Sequence, residues 1–169
     1  DFALADAVAT GGTLGTFTAV SGTVYTAVFT PTAGSTANGV VSVASGTFSN
    51  AAGNFNADGA DANNTVTMTV NTVRPTIAVT SSAATLKAGE TATITFTLSE
   101  AATDFALADA VATGGTLGTF TAVSGTVYTA VFTPTAGSTA NGVVSVASGT
   151  FSNAAGNFNA DGADANNTV

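Results

Sequence analysis

Cysteine, histidine and tryptophan are all missing from this 169-residue chain, and Arg74 and Lys87 are its only basic side chains. Without cysteine there is neither a disulfide framework nor a thiolate metal site. Without histidine the usual general base at neutral pH is gone, so any catalysis would rest on carboxylates alone. Ten acidic residues against two basic ones leave a net charge of −8, which repels the phosphate backbone that a nucleic-acid binder must neutralise. Nucleic acid is thereby excluded as a partner. No run approaches the roughly 18 consecutive apolar residues of a membrane-spanning helix, so membrane insertion is not expected either. Charged residues make up 7% of the chain, far below the roughly 25% of soluble domains, so solubility falls to Thr, Ser, Asn and Gly. Acid with almost no base suits divalent cations, or simple colloidal repulsion.

What the chain does contain is an exact internal repeat. Residues Asp1 to Val66 recur unchanged as Asp104 to Val169, an offset of 103 residues. Solenoid repeats run to about 20–50 residues because each is one supersecondary unit, whereas a period near 100 is the size of an independent small domain. Identity that includes surface positions exceeds what packing demands, since exposed sites tolerate change. It implies recent duplication within a longer array. The stretch Thr67 to Thr103 occurs once and completes the period, with a boundary at Arg74-Pro75 that divides the chain into modules 1–73 and 74–169. The first module then lacks a counterpart of Arg74 to Thr103, and the second lacks one of Thr67 to Val73. A module without its opening strands exposes half its core, so the expectation is that the polypeptide continues beyond this stretch or that a neighbouring molecule fills the gap.

Thr91 to Leu98 alternates strictly: Ala92, Ile94, Phe96 and Leu98 share one face and threonines the other. That period of two marks a half-buried strand. It returns in Thr65 to Val70, with Val66, Met68 and Val70 on one side, and in Thr126 to Thr133, with Tyr128, Ala130 and Phe132. Gly114-Gly115, Ser124-Gly125, Pro134, Asn141-Gly142 and Ser148-Gly149 punctuate these runs at the spacing of a sandwich. The predicted fold is all-β, an immunoglobulin-like β-sandwich of about seven strands per module, without the Cys and Trp of antibody domains. Phe2, Leu4, Phe17, Tyr25, Phe29 and their copies are read as core. The abundant threonines are the outward residues of strands and form no short repeating array, which argues against an ice-binding face.

Two groups of hard oxygen ligands are candidates for calcium, which takes 6 to 8 oxygens, including Asn and backbone carbonyls. One is the loop with Asp161 and Asp164, followed by Asn166-Asn167, and its copy with Asp58 and Asp61, followed by Asn63-Asn64. The alternative reading is a solvated turn, because Asp, Asn and Gly are also the common turn residues. The other group is Glu100, Asp104 and Asp109, which meet Asn153 and Asn157 if both loops lie at one end of the sandwich. Its first-copy counterparts are Asp1, Asp6, Asn50 and Asn54. Here the alternative is a rim of acids that keeps strand ends from pairing with neighbours. The linker Asn71 to Pro75 is short, and Pro75 fixes its own φ while biasing Arg74 towards extended backbone. An ion held by Asn71 and an adjacent module's acid would stiffen it further.

Several motifs in order, among them Leu86-Lys87-Ala88-Gly89-Glu90, Phe96-Thr97-Leu98-Ser99-Glu100, Gly114-Gly115-Thr116-Leu117, Tyr128 to Pro134, Phe151-Ser152-Asn153-Ala154-Ala155-Gly156-Asn157 and Asn71-Thr72-Val73-Arg74-Pro75, make the sequence resemble the bacterial Ig-like repeats of giant surface adhesins. These include large biofilm adhesins and the extender regions of RTX adhesins. The resemblance implies a string of sandwiches on the bacterial surface, secreted by a type I system, with Ca2+ bound in and between modules. Related repeats often carry Asp where this chain has Asn50, Asn153 and Asn71, so calcium sites there would be weaker or missing. On this reading the chain is a structural extender rather than an enzyme. Its partners are adjacent identical modules, and other domains of the full protein engage the adhesive target. The alternative is a repeat that itself binds a glycan or protein ligand; a carboxylate glycosidase would need a paired acid and base in a pocket, which duplication in perfect copies does not favour.

Overall fold

In the computed structural model, residues 1–58, 63–161 and 165–169 are described. Its contacts divide the chain into two compact units, Asp1–Val73 and Arg74–Val169. Both are all-β, and the only helical segments among the described residues are two single 3-10 turns, Leu4–Asp6 and Leu107–Asp109.

The first unit has five strands: β1 (Ala7–Thr10), β2 (Gly12–Ala19), β3 (Tyr25–Pro31), β4 (Gly39–Val43) and β5 (Thr65–Met68). They form an antiparallel sheet in the order β1-β4-β5 and a two-stranded sheet, β2-β3. The second unit has six: β6 (Ile77–Ser81), β7 (Ala92–Leu98), β8 (Ala110–Thr113), β9 (Gly115–Ala122), β10 (Val127–Pro134) and β11 (Val143–Val146). Here one sheet runs β6-β7-β10-β9 and the other is β11-β8, extended by an isolated bridge between Ser145 and Thr168. By the repeat, β1 to β4 correspond to β8 to β11, and β5 to the bridge at Thr168. A complete module therefore has four strands in one sheet and three in the other, in keeping with an Ig-like sandwich. The expected number of about seven strands is met by the period and not by either unit, because the first unit has no counterpart of β6 and β7 and the second has only the bridge at Thr168 where the first has β5.

The alternation expected of Ala92 to Leu98 is the one observed: Ala92, Ile94, Phe96 and Leu98 are all buried while the threonines between them are not. They face Tyr128, Ala130 and Phe132 of β10, and Val144, Val146 and Phe151 close the core from the other side. At its centre the ring of Phe105 lies edge-on to Phe96, Phe120, Tyr128 and Phe151, with centroids 5.0–5.9 Å apart. Edge-to-face contacts at this spacing align the positive ring edge with a negative ring face. Phe132 lies over Gly115 and Gly142 so closely that a Cβ at either would collide with its ring. Gly114, at φ +70°, abuts the Asn141 carbonyl in the same way. The Gly114-Gly115 and Asn141-Gly142 pairs thus mark close packing as well as turns.

One irregularity was not foreseen in the alternation. β9 and β10 slip register between Thr129 and Val131, and Thr119 takes φ 47°. Strict alternation from Leu117 would point Thr119 inward and Phe120 outward. The extra residue reverses that and delivers Phe120 to the core, as a β-bulge does. Thr16 repeats the geometry in β2 at φ 48°.

The same sequence is buried in one unit and open in the other. Among the described residues, Val70 is the only apolar side chain of the first unit that is buried. Val66, which the alternation assigns to the inward face with Met68 and Val70, remains 53% exposed. The first unit has no counterpart of β6 and β7 to cover this face. The second unit has the smaller opening, a cleft of about 370 Å³ bounded by Leu86, Phe132, Ser138, Asn141 and Val169. In the first unit the equivalent ground is covered by the once-only segment, where Thr72 donates to the Ser35 carbonyl at 2.9 Å and to that of Thr32 at 2.6 Å.

Phe151 and Phe48 are copies of one residue, the first fully buried and the second only half-buried. Phe151→Ala is expected to destabilise the second unit by about 3–5 kcal/mol, the range for emptying a packed aromatic site. Phe48→Ala should cost the first unit clearly less. Denaturant unfolding followed by tyrosine emission, in backgrounds that retain only Tyr128 or only Tyr25, measures each.

Candidate functional site

The expected calcium ligands of the second unit converge in part. Where β6 begins, four strips of chain meet. Ala160 donates to the Pro75 carbonyl at 2.9 Å, Ser99 to the Thr76 carbonyl at 3.0 Å, and Ala102 bridges Asn153. Next to these, the Ile77 amide donates to Asp161 Oδ1 at 2.7 Å, a buried bond between residues 84 apart in sequence. Glu100, Asp104, Asn153 and Asp161 are thereby brought to one end of the unit.

Most of their oxygens are already engaged. Asp104 takes the Ser152 amide on Oδ1 at 2.7 Å and the Ser152 hydroxyl on Oδ2 at 3.0 Å. Asn153 Oδ1 accepts the amides of Ala155 and Asn157, both at 3.0 Å, and the Asn153 amide donates to the Asn157 carbonyl at 3.1 Å. Two N–H groups aimed at one amide oxygen use both of its lone pairs, so in this geometry that oxygen closes its own loop. Asp109 reaches back to the Ala106 amide at 2.8 Å and caps the 3-10 turn that contains it. Asn71 does the same for the linker, with Oδ1 accepting the Val73 amide at 3.0 Å.

Two oxygens differ from these. Among the described residues, Glu100 Oε1 and Asp161 Oδ2 are buried without a hydrogen-bond partner, and Asp161 is only 6% exposed. Withdrawing a carboxylate oxygen from water without replacing its bonds is costly, and an ion is one of the partners that relieves it. Among the described residues, no three acidic side chains form a metal-binding group. Asp164 and Asp61 lie outside the described residues.

The first unit repeats the loop bonds. Asp1 accepts the Ser49 amide at 2.6 Å and its hydroxyl at 3.0 Å, and Asp6 accepts the Ala3 amide at 2.8 Å. Asn50 Oδ1 takes the amides of Ala52 at 2.9 Å and Asn54 at 3.0 Å. The Asp58 amide donates to Ser45 Oγ at 3.2 Å, as that of Asp161 does to Ser148 Oγ at 3.3 Å.

The sequence profile of the bacterial Ig-like domain family matches residues 1–69 and, separately, residues 71–169. The chain belongs to the bacterial Ig-like domain family. No curated protein and no solved structure matches it. Among the described residues, no helix is long and apolar enough to cross a membrane.

Within this Ig-like domain the residue that organises the loop after β11 escaped the sequence reading. Asn159 is fully buried; its Oδ1 accepts the amides of Thr150 at 2.8 Å and Phe151 at 3.1 Å, and its Nδ2 donates to the Ala147 carbonyl at 3.0 Å. Asn56 makes the same three bonds in the first unit. The only signal in sequence was an Asn among other loop asparagines, eight residues after a core phenylalanine. Asn159→Ala leaves the Thr150 and Phe151 amides without partners in a buried setting, while the Ala147 carbonyl keeps the Thr150 hydroxyl at 2.9 Å, and is expected to cost about 3–5 kcal/mol. Asn56→Ala, whose loop reaches water, should cost less than half of that; denaturant midpoints of the two variants test the contrast.

Proposed function

We propose that this chain is part of the extender of a bacterial cell-surface adhesin, a run of Ig-like modules stiffened by calcium that holds an adhesive domain away from the cell for attachment or biofilm formation. Membership of the bacterial Ig-like domain family and the unchanged recurrence of 66 residues support it, because a spacer needs length more than diversity. The setting in this reading is extracellular, reached by type I secretion, with neighbouring identical modules as partners. A non-catalytic role agrees with the absence of His and Cys and with the engagement of Asp1, Asp104, Asp6 and Asp109 in loop bonds.

The observation that carries the calcium part is the pair of unpartnered buried oxygens, Glu100 Oε1 and Asp161 Oδ2, at the end where β6 starts. These two residues would hold the ion, which would supply the positive charge that their burial calls for. It would also tie the start of β6 to the segment that follows β7, so the bound ion would brace the module next to its linker.

A ligand that binds only the folded state stabilises it. Millimolar calcium, relative to chelator, is therefore expected to raise the melting temperature of the second unit by roughly 5–10 °C, the span that 1–2 kcal/mol gives a domain of this size. Asp161→Asn keeps an oxygen for the Ile77 amide but removes the charge, and Glu100→Gln does likewise; each should abolish the shift. An unchanged melting curve in the parent chain would reduce the module to a spacer without an ion.

A further inference from the structure

We infer that the module is built to bear tension along its length, through a clamp between residues 74–79 and the described residues of the stretch 158–166 that a pull loads in shear. Four bonds join the two segments among the described residues. Arg74 Nε donates to the Phe158 carbonyl at 2.9 Å and the Ala160 amide to the Pro75 carbonyl at 2.9 Å. The Ile77 amide donates to Asp161 Oδ1 at 2.7 Å and the Val79 amide to the Asn166 carbonyl at 2.7 Å. Partners ascend together, from Arg74 with Phe158 to Val79 with Asn166, so the two segments run in the same direction. On its other side the entry segment is antiparallel to β7, from Ile77 opposite Leu98 to Ser81 opposite Ile94. Thr76 continues that side, giving its amide to Ser99 Oγ and accepting the Ser99 amide.

Direction decides how such a contact meets force. A pull enters at Arg74, the N-terminal end of the first segment. It leaves through the C-terminal end of the second, since Val66, the copy of Val169, leads through Thr67 to Val73 into the next Arg74. Parallel segments pulled from these opposite ends slide along a common axis, so their bonds share the load and none parts alone. Antiparallel segments pulled at the same two termini would open bond by bond from one end. The parallel course of these two segments is therefore the feature that converts a sandwich into a load-bearing link.

The chemistry of the clamp fits this role. Two of its bonds involve the charged groups of Arg74 and Asp161, and charge-assisted bonds are the stronger kind. Pro75, Ile77, Val79 and Asp161 are buried, which limits the water able to replace a bond as it stretches. Pro75 also lacks an amide and has a fixed φ, so the point where force enters yields little. Resistance to force goes beyond the extender reading, which asks of each module only its length. It holds whether or not an ion binds.

The test is single-molecule force spectroscopy on the full chain in the presence of chelator, so that the outcome is separate from that of the calcium titration. The chain has no cysteine, so introduced cysteines are unique attachment points. Asn71→Cys together with a cysteine added after Val169 loads the second unit alone, in shear. Asn71→Cys together with Ala154→Cys, an exposed position just ahead of Phe158, opens the same clamp from its Arg74 end. Forced unfolding follows the unfolding barrier and not the equilibrium stability, so the shear geometry is expected to need about twofold more force or greater. Arg74→Ala removes the leading bond from an exposed residue; it should lower the shear force while leaving the denaturant midpoint nearly unchanged. The inference is overturned if both attachment geometries unfold at the same force, if the shear geometry is the weaker, or if Arg74→Ala leaves the shear force as it was.

Discussion

The pairing of β7 with β10 is the contact on which the sandwich depends. It sets Ala92 opposite Phe132, Ile94 opposite Ala130 and Phe96 opposite Tyr128 on the inward face, so a small side chain meets a large one at two of the pairs and two aromatic rings meet at the third. Pairing small with large lets the facing rows interdigitate. The other contacts follow from it: among the described residues β7 is the one strand that β6 pairs with, and Phe105 finds Phe96 as one wall of its aromatic pocket. The first unit shows the same residues without that seam. Phe2 still meets Phe17, Tyr25 and Phe48 at 5.1–5.8 Å, so the aromatic group keeps its arrangement. It remains wet on the side where a strand should lie.

Sequence and structure agree where one periodicity decides the outcome. The alternation of Ala92, Ile94, Phe96 and Leu98, and of Tyr128, Ala130 and Phe132, predicts which atoms leave water, because a strand has only two faces. The bulge at Thr119 is invisible to that argument, since a register slip depends on the partner strand and not on the strand itself. Burial in the first unit is invisible for a related reason: identical residues acquire different surroundings according to what pairs with them. The candidate site was legible as composition and not as roles. Asp104, Asp109 and Asn153 were expected as ligands; the oxygens of Asp109 and Asn153 accept amides of their own loops, and those of Asp104 the amide and hydroxyl of Ser152. Glu100 and Asp161 could be told apart from them only once burial was known.

Membership of the Ig-like family and the paucity of charge bear on one another. A sandwich whose outward strand positions are mostly threonine acquires solubility from hydroxyls, which neither attract nor repel at long range. The few carboxylates are then available for local tasks: Asp1 and Asp104 pin the segment that starts each copy to the loop after β4 or β11, and Asp6 and Asp109 close helical turns.

The kink at Thr119 has a consequence for assembly. Among the described residues β9 is an outer strand, paired with β10 alone, and outer strands of identical sequence at high mutual concentration are templates for misassembly. A threonine forced to φ 47° breaks the regular spacing of amides and carbonyls along that border. A second copy laid alongside would fall out of step within a few residues, so repetition of one sequence need not end in fusion of its folded copies.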